Sequence, residues 1–377
     1  MGVPIYNVDE SKSAPAFYSR YSRGRFTWDA EKAPEEQTIA ALSGLAGRIG
    51  RRAILVPTSD STAMLVSKHA STLSQWFDFP HVDPSLVTGL CSKREMYFLA
   101  TKFSVPTPDA AFPQSREELV EASKRMTYPL MAKGIFGIEL ERKSGKRMFL
   151  IHSRQQLFDL YDSYEDWGQP NIMLQEFIPG SDKASWMLNG YYDRDSNCLA
   201  EFTGRKLRQY PAYTGLTSLG ECALNETVAR TTREFMKACG YRGILDIGYR
   251  YDERDGQYKV MDINPRVGAT FRLFVGSNGM DVIRAMYLDM TGQPVESAPA
   301  LEGRRWLVED CDLISSVRYL RDGKLAFKDW ILSHRGVAET GVFALDDPMP
   351  AMWMGVRNVR KLWARKSGSN GKPGALS

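Results

Sequence analysis

The sequence predicts an α/β chain whose larger part is α+β. Three observations lead there. A strand, turn and helix follow one another over residues 53–103, short apolar strands interleave with helices between 115 and 203, and a pair of strands around a polar turn sits between two helices from 228 to 289. Parallel α/β units and mixed α+β layers are the arrangements that bury such alternating elements.

In chain order, Val3 to Asp9 is a short β-rich run ending in an acid. Ala53 to Pro57 is a second strand, leading through Thr58-Ser59-Asp60 into a helical pattern from Met64 to Leu73, with Ser59 or Asp60 as its N-cap. Lys93 to Phe103 reads as a helix, stopped by Pro106 and Pro108. Strands are expected at 128–133, 147–151, 171–178 and 198–203, and helices at Ser115–Met126 and Ser153–Tyr161. A helix from Val228 to Cys239 stops at Gly240. Strands 243–251 and 257–264 flank the turn Asp252-Glu253-Arg254-Asp255-Gly256, and a helix runs from Asp281 to Asp289. Toward the C-terminus, short strands are expected at Trp306–Val308, Leu325–Phe327 and Val342–Ala344.

Composition narrows the function classes. The chain has 377 residues, 43% hydrophobic and 25% charged, with a net charge of +4. Those are globular proportions, and the charge is too small to argue for nucleic acid. No apolar run approaches the roughly 18 residues of a membrane span. The five cysteines and four histidines are scattered, so neither a disulfide framework nor a zinc site is implied, and a reducing cytoplasm is the expected compartment.

The segment richest in chemistry is Asp246 together with Met261-Asp262-Ile263-Asn264-Pro265-Arg266. If Tyr251 and Gln257 are cross-strand neighbours, Asp246 falls opposite Asp262, with Cβ atoms about 4.5–5.5 Å apart, and Asn264 shares their face. Two carboxylates that close repel unless a cation lies between them. An all-oxygen set with few protein ligands suits Mg²⁺, which keeps water and phosphate in its shell. Arg266, just beyond the strand-ending Pro265, is placed to clamp a phosphate or carboxylate. The alternative is a solvated hairpin face.

Met261 to Arg266 resembles the metal-binding signature of the ATP-grasp superfamily, and the order of motifs agrees from about Lys93 to Pro294. The branch it looks most like is the carboxylate–amine ligases that include D-aspartate ligase; Phe202 to Pro211 and Asp346-Asp347-Pro348 are typical runs of that branch. The resemblance implies an enzyme that uses ATP and Mg²⁺ (or Mn²⁺) to join a small carboxylate to an amine through an acyl-phosphate. It implies Lys93 and Lys133 as phosphate ligands, Glu176 as acceptor from the adenine amino group, backbone near Phe177 and Ile178 as readers of the ring edge, and Asp182 as a candidate for the ribose. Asp246, Asp262 and Asn264 would hold the metal. Lys206 and Arg208, separated by one residue and expected to share a side, would join Arg266 in steadying the charge of transfer. The expected divisions are an N-terminal α/β domain (1–104), a lid (105–180), a catalytic part (181–303), a C-terminal extension (304–350) and a basic tail (351–377).

Departures from the family pattern carry expectations of their own. Asp246 and Asp262 stand where many relatives have Glu. The glycines after Lys133 (Gly134, Gly137, Gly145) are fewer than is usual for a phosphate-covering loop, and residues 210–220 have the composition of a substrate loop. The chain begins where relatives have already completed a strand and a helix, so an N-terminal α/β domain short of both is expected. Residues 352–377 hold six Lys and Arg and no acid, leaving −2 for the rest. Trp353, Val356, Val359 and Trp363 lie at helical spacing among those basic residues. The pattern fits docking on an anionic membrane or a partner, or packing on the chain's own body. A non-catalytic ATP-binding module and a docked subunit of a biosynthetic complex are the rival functions, and a homo-oligomer is compatible with either.

Overall fold

The structure, a computed structural model, describes residues 2–357. The N-terminal part runs β1 (Ile5–Asp9), β2 (Ser22–Thr27), α1 (Glu35–Ile49), β3 (Ala53–Ile54), α2 (Asp60–Lys68), α3 (Ala70–Leu73), β4 (Phe77–Asp78), α4 (Pro84–Cys91) and α5 (Lys93–Lys102). Its strands form two separate parallel pairs, β1–β2 and β3–β4. The helix starts are dictated locally. Ser59 and Thr62 make a reciprocal capping box on α2, Asp83 caps α4 with Pro84 in the first turn, and Ser92 caps α5.

A four-stranded sheet of order β5-β8-β6-β7 follows, built from β5 (Ala110–Ala111), β6 (Leu130–Gly134), β7 (Met148–Ile151) and β8 (Ile172–Glu176). Helices α6 (Arg116–Arg125) and α8 (Arg154–Tyr164) cover one face, where Leu119, Leu130, Leu157 and Leu174 are fully buried. Between β6 and β7, where a phosphate-covering loop was expected, residues Gly137–Ser144 form a helix, α7. Gly134 leads into it at a point where a Cβ would lie 2.8 Å from the Phe136 carbonyl oxygen.

The body is a seven-stranded sheet of order β13-β12-β9-β10-β11-β14-β15. It contains β9 (Ser185–Tyr192), β10 (Cys198–Tyr210), β11 (Leu216–Cys222), β12 (Gly243–Asp252), β13 (Gln257–Asn264), β14 (Arg305–Leu307) and β15 (Val337–Thr340). Helix α9 (Glu226–Cys239), capped by Asn225 and closed by left-handed Gly240, packs Val228 and Phe235 on the face that presents Leu188, Leu245 and Ile263. Helix α10 (Val282–Met290) lies on the other face with Met187, Phe202 and Phe274.

The C-terminal region departs from expectation. Residues 325–327 lead into a helix and 342–344 have no regular structure, so neither is a strand. Instead, β14 and β15 extend the main sheet, and helices α11 (Glu309–Arg321) and α12 (Phe327–Ser333) lie between them in the chain. Asp346 and Asp347 reach back to the N-terminal part, where Asp347 accepts from the Arg20 amide and Asp346 from the Tyr21 hydroxyl. Trp353 stacks on Tyr18 with ring centroids 4.1 Å apart. Residues 358–366 of the expected basic helix, and the tail beyond, lie outside the described residues. Among the described residues no helix is long and apolar enough to cross a membrane.

Candidate functional site

The β12–β13 hairpin pairs Asp252 with Gln257 and Tyr251 with Tyr258, one residue away from the expected register. A shift of register between Gly248 and Tyr249 then moves the pairing one further, because Met261 has no partner of its own. Asp246 therefore sits opposite Asn264, and Asp262 opposite Gly248, which corrects the expected Asp246–Asp262 pair. The two offsets add to two residues, so all three side chains keep a common face.

Glycines make room for both carboxylates. A Cβ on Gly248 would lie 2.4 Å from Asp262 Oδ1, and one on Gly268 would lie 2.2 Å from Asp246 Oδ2. Asn189 on β9 donates from Nδ2 to Asp246 Oδ1 at 2.8 Å, while its own buried Oδ1 finds no hydrogen-bond partner among the described residues. Burial, and next the charge of Asp262, push the Asp246 carboxyl up to about 6. Two crowded carboxylates and an orphaned amide oxygen fit a single hard cation whose remaining ligands are water and phosphate. Among the described residues no group of three or more His, Cys, Asp and Glu gathers for a metal, here or elsewhere, so the amides of Asn189 and Asn264 would have to complete the set. Asn264 turns its Oδ1 to Arg266 at 3.0 Å and its Nδ2 to Asp262 Oδ2 at 3.3 Å.

Cations face these acids from several elements. Lys133, the penultimate residue of β6, is 6% exposed and donates to Gln175 Oε1 at 2.6 Å. Burial, and next Lys93, bring its ammonium down to about 8, with Asp262 opposing. Lys93 opens α5 beside Gly137, and its amide bonds the Ile135 carbonyl at 3.2 Å, which ties α5 to the segment after β6. The Lys206 ammonium is held by Gly215 O at 3.2 Å and is lowered by burial, with Asp262, Asp246 and Asp182 acting against that. Arg250 donates to the carbonyls of Ile178 at 2.9 Å and Gly180 at 2.8 Å, fixing the segment after β8, and its charge is felt at both Lys133 and Lys206. Together with Arg266, these cations outnumber the carboxylates of Asp246, Asp262 and Asp182, a balance that suits a polyanion.

Three expected site residues are engaged elsewhere. Lys206 and Arg208 do not share a side, because the β10–β11 register breaks at Leu207. Arg208 turns to α11 instead, where Nε and Nη2 make a bidentate pair with Asp312 at 2.8 and 2.7 Å, buried on both partners. Glu176 lies on the opposite face of β8 from Gln175, and its carboxylate pairs with Arg254 at 2.6 Å rather than standing open. Arg266 stands beside the acids but is bound to Asp60 of α2 at 2.8 Å. Asp182, by contrast, is within the electrostatic reach of Lys206 and Arg250. Phe177 and Ile178 follow β8, with Ile178 buried and its carbonyl held by Arg250.

Gln175, Asn189 and Arg250 were not anticipated. Period-two alternation from Asp246 through Gly248 marks Arg250. Gln175 comes to the Lys133 face because β6 pairs with β8, which sets Met173, two residues before it, opposite Lys133. Nothing local marks Asn189, because only the pairing of β9 with β12 sets it against Asp246.

No family model matches the chain. The architecture matches solved structures of ATP-grasp enzymes. One is the biotin carboxylase domain dimer of Hydrogenobacter thermophilus 2-oxoglutarate carboxylase, in complex with MgADP, ADP and bicarbonate (TM-score 0.60, 16% identity, 80% of this chain and 67% of that one). Another is N5-carboxyaminoimidazole ribonucleotide synthetase from Thermus thermophilus (TM-score 0.60, 14% identity, 81% and 76%). At such identities the likeness is one of fold, and the chain has the ATP-grasp fold. In sequence it is similar to D-aspartate ligase from Enterococcus faecium (strain Aus0004), 28% identical over 249 residues, which are 62% of this chain and 58% of that relative. The match spans little more than half of the relative's length.

Proposed function

We propose that the chain is an ATP-dependent ligase that joins a small carboxylate to an amine through an acyl-phosphate. The observation that carries this reading is that Lys133 and Lys206 each lie within electrostatic reach of Asp262 and Arg250, with Lys93 beside Lys133 and Asp246 beside Lys206. The similarity to D-aspartate ligase supports the same reaction class and makes D-aspartate the first acid to try.

The base would lie against Phe177 and Ile178, where Arg250 holds the carbonyls of Ile178 and Gly180 in place. Lys93 and Lys133 would bind the phosphates, and Lys133 has the protonated form to gain there because burial disfavours it in the free protein. Asp262 and Asp246, with Asn264 and Asn189 beside them, would hold Mg²⁺, which when bound neutralises charge on the transferring phosphoryl group. A carboxylate oxygen of the acid takes the γ-phosphoryl, and ADP leaves. The amine lone pair then attacks the acyl carbon, phosphate departs with its bonding pair, and the nitrogen loses a proton. Lys206 would steady the negative charge of that step, and positioning of the reactants does the rest. Arg266 would act from its place beside Asn264, anchored by Asp60.

The test is an ADP-release screen over pairs of amino acids, small carboxylic acids and amines. One pair should release ADP, and Asp262→Ala should abolish the signal. Release that survives Asp262→Ala overturns the metal-site reading. ATP binding without release for any pair points instead to a non-catalytic module.

A further inference from the structure

We propose that Tyr319 is a positioning residue through which helix α11 of the C-terminal region sets the nucleotide end of the site. The inference rests on the ATP-binding reading above. Tyr319 is 5% exposed, and its hydroxyl is a junction of three chain segments. It donates to Asp182 Oδ2 and accepts from the amide N–H groups of Tyr213 at 3.0 Å and Gln209 at 3.4 Å. The other Asp182 oxygen accepts from Gln209 Nε2 at 2.9 Å. Gln209 Oε1 in turn lies 3.5 Å from the Lys206 ammonium, so a hydrogen-bonded line runs from α11 to the lysine that faces the acids.

The connection 211–215 is shaped around the same hydroxyl. Tyr213 takes a left-handed φ of 73°, its ring meets that of Tyr319 edge-on at 4.7 Å, and its hydroxyl bonds Asp322 at the end of α11. A Cβ on Gly215 would lie 2.0 Å from Tyr210 backbone atoms, so the connection tolerates no alternative there. Helix α11 is itself fixed to β10 by the Arg208–Asp312 pair.

The chemical consequence concerns Asp182. Lys206 and Arg250 both attract its carboxylate. A free carboxylate there would swing into an ion pair with one of them and neutralise a cation the phosphates need. Tyr319 and Gln209 Nε2 occupy both oxygens, and Gln209, whose Oε1 meets the Lys206 ammonium, stands between the two charges, which holds Asp182 back from that cation. Tyr319 thus acts through Asp182 and Gln209, without touching the nucleotide.

The test is a double-mutant cycle of Tyr319→Phe and Asp182→Asn in the full chain. The Kd of MgATP is measured by calorimetry, with Lys133→Ala as a control for the nucleotide site and melting curves for stability. Tyr319→Phe should weaken MgATP about tenfold, the weight of one hydrogen bond. Tm should fall too, because the Tyr213 and Gln209 amides lose an acceptor, and the comparison on the Asp182→Asn background separates that loss from the effect on Kd. On the Asp182→Asn background the same change should have almost no effect on Kd. An unchanged Kd in Tyr319→Phe, or a loss that adds fully to that of Asp182→Asn, overturns the proposal. If the wild type does not bind MgATP, the nucleotide reading fails and takes this one with it. If wild type binds and only Lys133→Ala weakens it, the nucleotide reading stands and the Tyr319 role falls.

Discussion

Removing the Arg208 guanidinium should damage the C-terminal region first and any ligase chemistry only through it. In Arg208→Met the Asp312 carboxylate, 1% exposed, loses both strong donors and keeps the hydroxyls of Ser218 at 3.1 Å and Ser316 at 3.3 Å. Breaking one side of a buried pair costs about 3–5 kcal/mol. The two remaining hydroxyls place this case near about 3 kcal/mol. The loss should appear in native-state hydrogen exchange as a fall of that size in the opening free energy of α11 amides, with β6 and β8 unaffected. Arg208→Met combined with Asp312→Leu removes both charges and should recover most of the loss, less about 1 kcal/mol for each hydroxyl left without an acceptor. Full protection of α11 in Arg208→Met, together with abolished ADP release, would refute the reasoning and return Arg208 to the reacting groups.

Three further outcomes follow from the site. Phosphate favours the protonated Lys133, whose free-state ammonium sits at about 8; MgATP affinity should be flat between about 6, where Asp246 takes up its proton, and about 8, and fall by up to about tenfold per unit above that value. Lys133→Met should abolish the slope, and a slope that persists assigns it to another group. The same depression makes the free protein gain stability as pH rises from about 8 toward the unfolded lysine value of 10.5, because only the unfolded chain binds the proton in that window. Gly268→Ala and Gly248→Ala should each push aside a carboxylate, since the added Cβ meets Asp246 or Asp262 well inside contact distance. Mn²⁺ affinity read by electron paramagnetic resonance should drop more than about tenfold in both; Tm should change little in Gly248→Ala, where only the Asp262 tip is displaced, and fall in Gly268→Ala, where the added Cβ also meets Asp246 Cβ at 2.8 Å. Unchanged Mn²⁺ binding would show that these carboxylates do not hold the ion.

Where helices α2, α5 and α9 start or stop, and where strand β13 ends, was written in the chain itself. Ser59, Ser92 and Gly240 do at α2, α5 and α9 what their local chemistry requires, and strand β13 runs over 257–264 as its pattern predicts. The same pattern brought Asp246, Asp262 and Asn264 to one face, since a face depends only on parity. Who stands opposite whom was left to the packed fold. The unpaired Met261 moved Asp246 from Asp262 to Asn264, and the break at Leu207 sent Arg208 to Asp312 while Lys206 stayed with the acids. Asn189, Tyr319 and Asp60 come to the site from β9, α11 and α2, through pairings between segments far apart in the chain. Alternation and capping are short-range, set by backbone sterics and neighbouring hydrogen bonds, whereas bulges and ion-pair partners are chosen by which distant surfaces pack together and leave no buried charge alone.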